Sequence, residues 1–302
     1  MTAPSLLARQ FIVVTGKGGV GKSVVAAALA RMAANQGRRV LILEADPRES
    51  QHELAGVAPS GGDYVVAPGS LVVQNIQPRR VFEAVVREHL HFELLVRRVI
   101  KSPIFEHFVD AAPGLKELGV LGHALRVLRG LEPTPLGTID LVVLDAPATG
   151  HGVSMLAAPR LASEVIEGGP IAHLAGHLAA FVADPSATGV VVVTQAEEMV
   201  VQETMELRGA LLDHVGREPD LLVINGLFPR DEPLDEAPSP TRSSAAVLWH
   251  ERRRSHDRQL SRIAEQWTGP SVHLPLVPCD RGPRLLERIV GYLLPQWPAL
   301  EA

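Results

Sequence analysis

Residues 11–23 read Phe11-Ile-Val-Val-Thr-Gly-Lys-Gly-Gly-Val-Gly-Lys-Ser23, and this stretch decides the fold. Its first half is apolar and β-branched, which predicts a buried strand. Its second half, from Gly16 to Ser23, has the form G-x-x-x-x-G-K-[ST]. Glycines in such a loop allow successive N–H groups to turn inward on phosphate oxygens. The Ala-rich run Val24–Asn35, ended by Gly37, predicts a helix whose positive dipole end faces the same phosphates. Val40–Glu44 predicts a second buried strand, so the unit is strand, helix, strand, with a right-handed crossover in a parallel sheet.

On this reading Gly16, Gly18, Gly19, Val20, Gly21, Lys22 and Ser23 form a nucleotide site. Lys22 supplies a cation for the β and γ phosphates, and the Ser23 hydroxyl is expected to ligate Mg²⁺. The expected cofactors are ATP or ADP with Mg²⁺. Outward from the loop, further strands are expected at 71–76, 139–144, 189–194, 221–225 and 271–274. Helices are expected at 154–183, 198–214, 244–266 and 283–294. The alternation predicts a doubly wound, mostly parallel α/β sheet of the P-loop NTPase type, as one domain over residues 1–302. Residues 78–135 read as a helical insert, and 229–243, rich in Pro, Asp, Glu and Ser, as a mobile loop.

The composition narrows the function. Of 302 residues 46% are hydrophobic and 21% charged, as in a globular chain with a sizeable core. A net charge of −5 gives no support for a nucleic-acid surface, and Arg252-Arg-Arg254 beside Glu251 and Asp257 reads as a solvated helix face. The single cysteine, Cys279, cannot form an intrachain disulfide or build a Cys-rich metal site within one chain. A phosphate loop this early leaves no room for a signal peptide, and no run approaches the roughly 18 apolar residues of a membrane span. The expected location is cytoplasmic.

Two carboxylates are expected beside the phosphates. Asp46, before Pro47, follows the second strand, where it could position or deprotonate a water; Asp before Pro also makes a turn or cap whatever its function. Asp145 closes the apolar strand Ile139–Leu144, the Walker B arrangement for holding Mg²⁺. His151 follows between Gly150 and Gly152, and its role stays open.

Lys17, one residue after the first loop glycine, makes the loop resemble the deviant Walker A family of dimeric NTPases. Asp46-Pro47 and Asp145-Ala-Pro-Ala-Thr-Gly-His151 resemble the two switch segments of its arsenite-pump and tail-anchored-protein-targeting branch. The resemblance implies a homodimer, or a heterodimer with a paralogous ATPase, in which Lys17 reaches phosphate in the partner. The plainer reading of Lys17 is a solvated loop charge. The resemblance also implies that Asp46 orients the attacking water and that Asn225 hydrogen-bonds the adenine edge. By the same resemblance, the segment containing Pro275 and Val277 is an adenine-side loop, and the stretch from Glu197 to Thr204 lies near the dimer interface. Gln195-Ala196 departs from the branch's pattern.

Of the other members of the resembled family, the nitrogenase iron protein holds a four-iron cluster, for which one cysteine per chain leaves a dimer two ligands short, and the eukaryotic targeting factor shares zinc through a Cys-x-x-Cys pair that is absent here. No iron–sulfur cluster and no zinc are therefore expected. Val81, Phe82, Val85, Val86, Leu90 and Leu94 recur near helical spacing in the insert, where they either line a groove for a hydrophobic client or pack as core. The last helix reads as a cover for the sheet, so membrane contact is not expected. The implied function is a dimeric ATPase coupling nucleotide state to a client. The rivals are a non-hydrolysing nucleotide-sensing subunit of a heterodimer and a membrane- or nucleoid-positioning ATPase.

Overall fold

A computed structural model describes residues 5–46, 48–77, 80–81, 102, 114–147, 151–166, 168–228 and 244–298. Its strands are β1 (Phe11–Gly16), β2 (Val40–Glu44), β3 (Val65–Ala67), β4 (Leu71–Asn75), β5 (Leu141–Asp145), β6 (Thr188–Gln195), β7 (Leu221–Leu227) and β8 (Ser271–Pro275). They form one sheet in the order β3-β4-β2-β5-β1-β6-β7-β8. Every pairing is parallel except β3 with β4. The chain is thus an α/β protein with a doubly wound, mostly parallel sheet.

The described helices are α1 (Lys22–Asn35), α2 (Gln51–Ala55), α3 (Leu115–Leu128), α4 (His151–Val165), α5 (Gly169–Ala183), α6 (Glu198–Val215), α7 (Ser244–Gln266) and α8 (Pro283–Leu293). Side chains alternate across a strand, so one apolar run feeds two cores. Ile12, Val14, Ile42, Val143 and Val191 face the layer of α1, α2 and α8. Phe11, Val13, Leu41, Leu43, Val142 and Val190 face the layer of α3, α4, α5 and α6. The alanines of α1 let its backbone approach the sheet, and Ala26, Ala27, Ala28 and Ala30 are buried.

β1 sits between β5 and β6, the point at which successive crossovers diverge. Crevices open there, at the carboxyl ends of the strands, and the loop after β1 fills this position. The opposite end of the sheet is tied by Asp220, which pairs with Arg9 at 2.7 Å and Arg217 at 2.6 Å.

Three expectations change. The helix expected over 154–183 is two, because Gly168 has φ +81° and Pro170 opens the first turn of α5. The edge strand β3 went unrecognised, being three residues long beyond a turn with Gly69 at φ +81° and Ser70 at φ +54°. The parallel strands run slightly past their expected ends, to Asp145 and Leu227. Of the insert placed at 78–135, residues 78–79, 82–101 and 103–113 lie outside the described residues, as does the loop expected at 229–243. The last helix, α8, buries Leu286, Ile289, Val290 and Leu293 in the core it shares with α1. Among the described residues no helix is long and apolar enough to cross a membrane.

Candidate nucleotide site

The loop from Gly16 to Gly21 depends on backbone conformations that side chains rarely adopt. Gly16, Gly19 and Gly21 have φ of +145°, +83° and +98°. Gly16 also lies so close to β6 that an added Cβ would fall 2.2 Å from the Val193 carbonyl oxygen. At Gly21 the same atom would meet the Asn225 amide at 2.2 Å. Gly18 and Gly19 are exposed, while Val20 is buried and anchors the loop in the core. α1 starts at Lys22 with no side chain capping its first N–H groups, so these donors remain for an anion.

Lys22 is buried, and its Nζ donates to the Lys17 carbonyl at 3.0 Å. Burial lowers its pKa, opposed by the negative charges of Asp145 and Asp46. The ammonium is therefore under-solvated and surrounded by acceptors, a state that a bound polyphosphate would stabilise.

Register brings the carboxylates together. Val14 of β1 lies opposite Asp145 of β5, and Asp145 lies opposite Glu44 of β2. Asp145 is buried, which raises its pKa; hydrogen bonds from the Ser23 hydroxyl and the Gln51 amide, and the charge of Lys22, act the other way. The Gln51 Nε2 bond measures 2.8 Å. Ser23 and Asp145, the two expected metal ligands, are thus adjacent. Mg²⁺ suits them, being a hard cation that needs one or two protein oxygens and takes the rest from phosphate and water. A buried acceptor without a partner among the described residues, Gln51 Oε1, marks the same place. No cluster of three or more His, Cys, Asp or Glu able to hold a metal occurs among the described residues.

Glu44 is the larger surprise. A charged residue ending an apolar strand, it is 1% exposed, and burial pushes its pKa up to about 7. It accepts from the Ser50 N–H at 2.7 Å, the Ser50 hydroxyl at 2.5 Å and the Gln51 N–H at 3.4 Å. These bonds tie the loop that carries Asp46 to the start of α2. Asn75 ties the other side, with Nδ2 donating to the Asp46 carbonyl at 2.6 Å. The Asp46 carboxylate accepts from the Arg48 N–H at 2.8 Å, so it closes its own turn while remaining close enough to Lys22 to act on it electrostatically.

Asn225 lies in β7, and Pro275, the last residue of β8, is paired with Leu227 at the end of that strand. Asn225 Nδ2 donates to the Val20 carbonyl at 2.8 Å, so its amide nitrogen is engaged by the loop itself. Val277 packs partly buried against the core. Lys17 is paired within its own chain: its Nζ lies 2.6 Å from Glu203 Oε1 on α6. Gly152, in the first turn of α4, is tight against β1, for an added Cβ would lie 2.0 Å from Thr15 Oγ1. The side chain of His151 lies outside the described residues.

The sequence reading missed Glu44 and Gln51. Glu44 carried a signal, a carboxylate closing a strand too apolar to leave it in water. Gln51 carried none, since its partner Asp145 is 94 residues away.

Comparison with known proteins agrees with this geometry. Residues 9–173 match the family of anion-transporting ATPases. The chain is similar to the ATPase BagA of Mycobacterium tuberculosis, 31% identical over 198 residues, covering 64% of this chain and 58% of that protein. It is similar to an arsenical pump-driving ATPase of Acidiphilium multivorum, 26% identical over 257 residues, covering 79% of this chain and 42% of that protein. It is also similar to the ATPase GET3B of Arabidopsis thaliana, 26% identical over 168 residues, covering 50% and 40%. The chain therefore spans between two fifths and three fifths of the length of these relatives. The matched residues run from β1 through the phosphate loop, both carboxylate-bearing strands and α4, and on this ground the chain belongs to the anion-transporting ATPase family.

Proposed function

We propose that the chain is a Mg²⁺-dependent ATPase that works as a dimer and couples its nucleotide state to a client. The observation that carries the reading is the convergence of four features at one strand end. These are a left-handed glycine loop, the buried Lys22, the uncapped start of α1 and the adjoining Ser23 and Asp145. Loop amides and helix N–H groups would bind the β and γ phosphates of ATP, and Lys22 would exchange the Lys17 carbonyl for a phosphate oxygen. Ser23 and Asp145 would hold Mg²⁺, whose charge offsets that of the phosphates. Asp46 would orient the attacking water from its fixed loop.

Asn225 would contact adenine through Oδ1, accepting from the amino group, since its Nδ2 is engaged by the loop. The shared-site part rests on Lys17, whose place in the loop resembles that of the deviant Walker A family, where this lysine serves the nucleotide of the partner. In the active dimer it would leave Glu203 for the nucleotide of the partner. The relatives are named as ATPases and, in one case, as driving an arsenical pump. A single cysteine, Cys279, cannot supply a multi-thiolate metalloid site within the chain, so the client is better sought among proteins.

Calorimetry with ATP at millimolar Mg²⁺, alongside phosphate release, tests the reading. Wild-type protein is expected to bind and turn over, and Lys22→Ala to lose both. Absence of binding heat in wild type would end it.

A further inference from the structure

Gln51 is a fully buried polar side chain near the phosphate loop, with 0% exposure. It is the first residue of α2, directly after the loop that carries Asp46. Its Nε2 donates twice, to Asp145 Oδ2 at 2.8 Å and to the Ser23 carbonyl at 3.0 Å. Both partners are acceptors, so the amide cannot be turned over without setting oxygen against oxygen. That fixes Oε1 on the remaining side, where it is buried and has no donor among the described residues. Leaving such a buried acceptor unpaired is costly, and a plain apolar side chain would avoid the cost. The backbone N–H of the same residue donates to Glu44, which also holds Ser50.

We infer that Gln51 is a positioning residue for the metal: its amide orients the Asp145 carboxylate and its Oε1 accepts from a water on the bound Mg²⁺. This deepens the Mg²⁺-nucleotide reading and rests on it. Mg²⁺ gives up its waters reluctantly and keeps several of them, so a bound water supplies the donor that Oε1 lacks. The same side chain then links three parts of the site: the Walker serine, the metal carboxylate and the loop of Asp46. Release of the metal would take the donor from Oε1 alone, since Nε2 and the backbone N–H hold Ser23, Asp145 and Glu44 without it.

The experiment measures the Mg²⁺ concentration that half-saturates ATP binding, by calorimetry, in wild type, Gln51→Met and Gln51→Asn. Methionine keeps the volume and removes both hydrogen-bonding atoms, whereas asparagine keeps the amide but draws it back by one methylene. Outer-shell partners of a metal are worth about 10- to 100-fold in affinity. The Mg²⁺ midpoint is therefore expected to rise about tenfold in Gln51→Met and less in Gln51→Asn. Nucleotide affinity in chelator is expected to stay at the wild-type value, because the loop amides are untouched. A midpoint within about twofold of wild type in both variants would overturn the inference. So would a loss of thermal stability with no change in the midpoint, which assigns Gln51 to the fold alone. Failure of wild type itself to bind ATP with Mg²⁺ would instead remove the reading beneath.

Discussion

Lys17 and Glu203 form an ion pair at 2.6 Å that joins the phosphate loop to α6 within one chain. The lysine that would serve a partner's nucleotide is therefore held by its own subunit before any partner arrives. Both side chains are about one-third exposed, at 32% and 33%. Such a pair is worth at most about 1 kcal/mol, so it biases Lys17 without locking it. Glu203→Gln is expected to lower the protein concentration needed for ATP-dependent dimerisation by up to about 30-fold in a homodimer, where each subunit gives up one such pair. Lys17→Ala is expected to abolish dimerisation while leaving the monomer folded. Sedimentation velocity with and without Mg²⁺-ATP reads both, and unchanged dimerisation in Lys17→Ala would remove the shared site.

Asp46→Asn separates the turn from the chemistry. The asparagine oxygen can still accept from the Arg48 N–H, so the loop keeps its closure and loses only the charge. Phosphate release is expected to fall by about 100-fold or more, the usual contribution of a positioned base. ATP affinity is expected to change little. Turnover at the wild-type rate would assign Asp46 to the turn alone.

Two glycines of the loop should respond differently to alanine. At Gly16 a Cβ would strike the Val193 carbonyl, a backbone atom that cannot step aside. At Gly19 the space is open and only the left-handed backbone resists, at about 1–2 kcal/mol. Urea unfolding is expected to rank Gly16→Ala as clearly the more destabilised, and equal losses would contradict the close approach of β1 and β6.

Glu44 should leave a signature in the pH dependence of stability. Its pKa rises from 4.5 unfolded to about 7 folded. Between those values the folded chain binds the extra proton, so stability falls as pH rises from 4.5 to 7 and stays low above. The loss amounts to at most about 3 kcal/mol. Glu44→Gln has no carboxyl to titrate. Relative to wild type it is expected to gain stability as metal-free protein is taken from pH 5 to pH 8, as urea midpoints would read. A constant difference across that range would refute the shift.

The strands and the phosphate loop were legible because their causes are local. Period and glycine spacing announce them, and a parallel strand buried on both faces is apolar throughout, as Val190 to Val193 are. Gly168-Gly169-Pro170 carries a local signal for the break in the helix after Asp145, a turn-forming run that the sequence reading passed over.

By itself the sequence determined the nucleotide loop, the α/β alternation and Asp145 as a carboxylate at a strand end. Tertiary structure alone decided that Glu44 and Asp145 stand side by side, that Gln51 bridges Ser23 and Asp145, and that Lys17 meets Glu203. Those contacts join residues between 28 and 186 positions apart. Strand order and register fix such meetings, and no local pattern of residues encodes them.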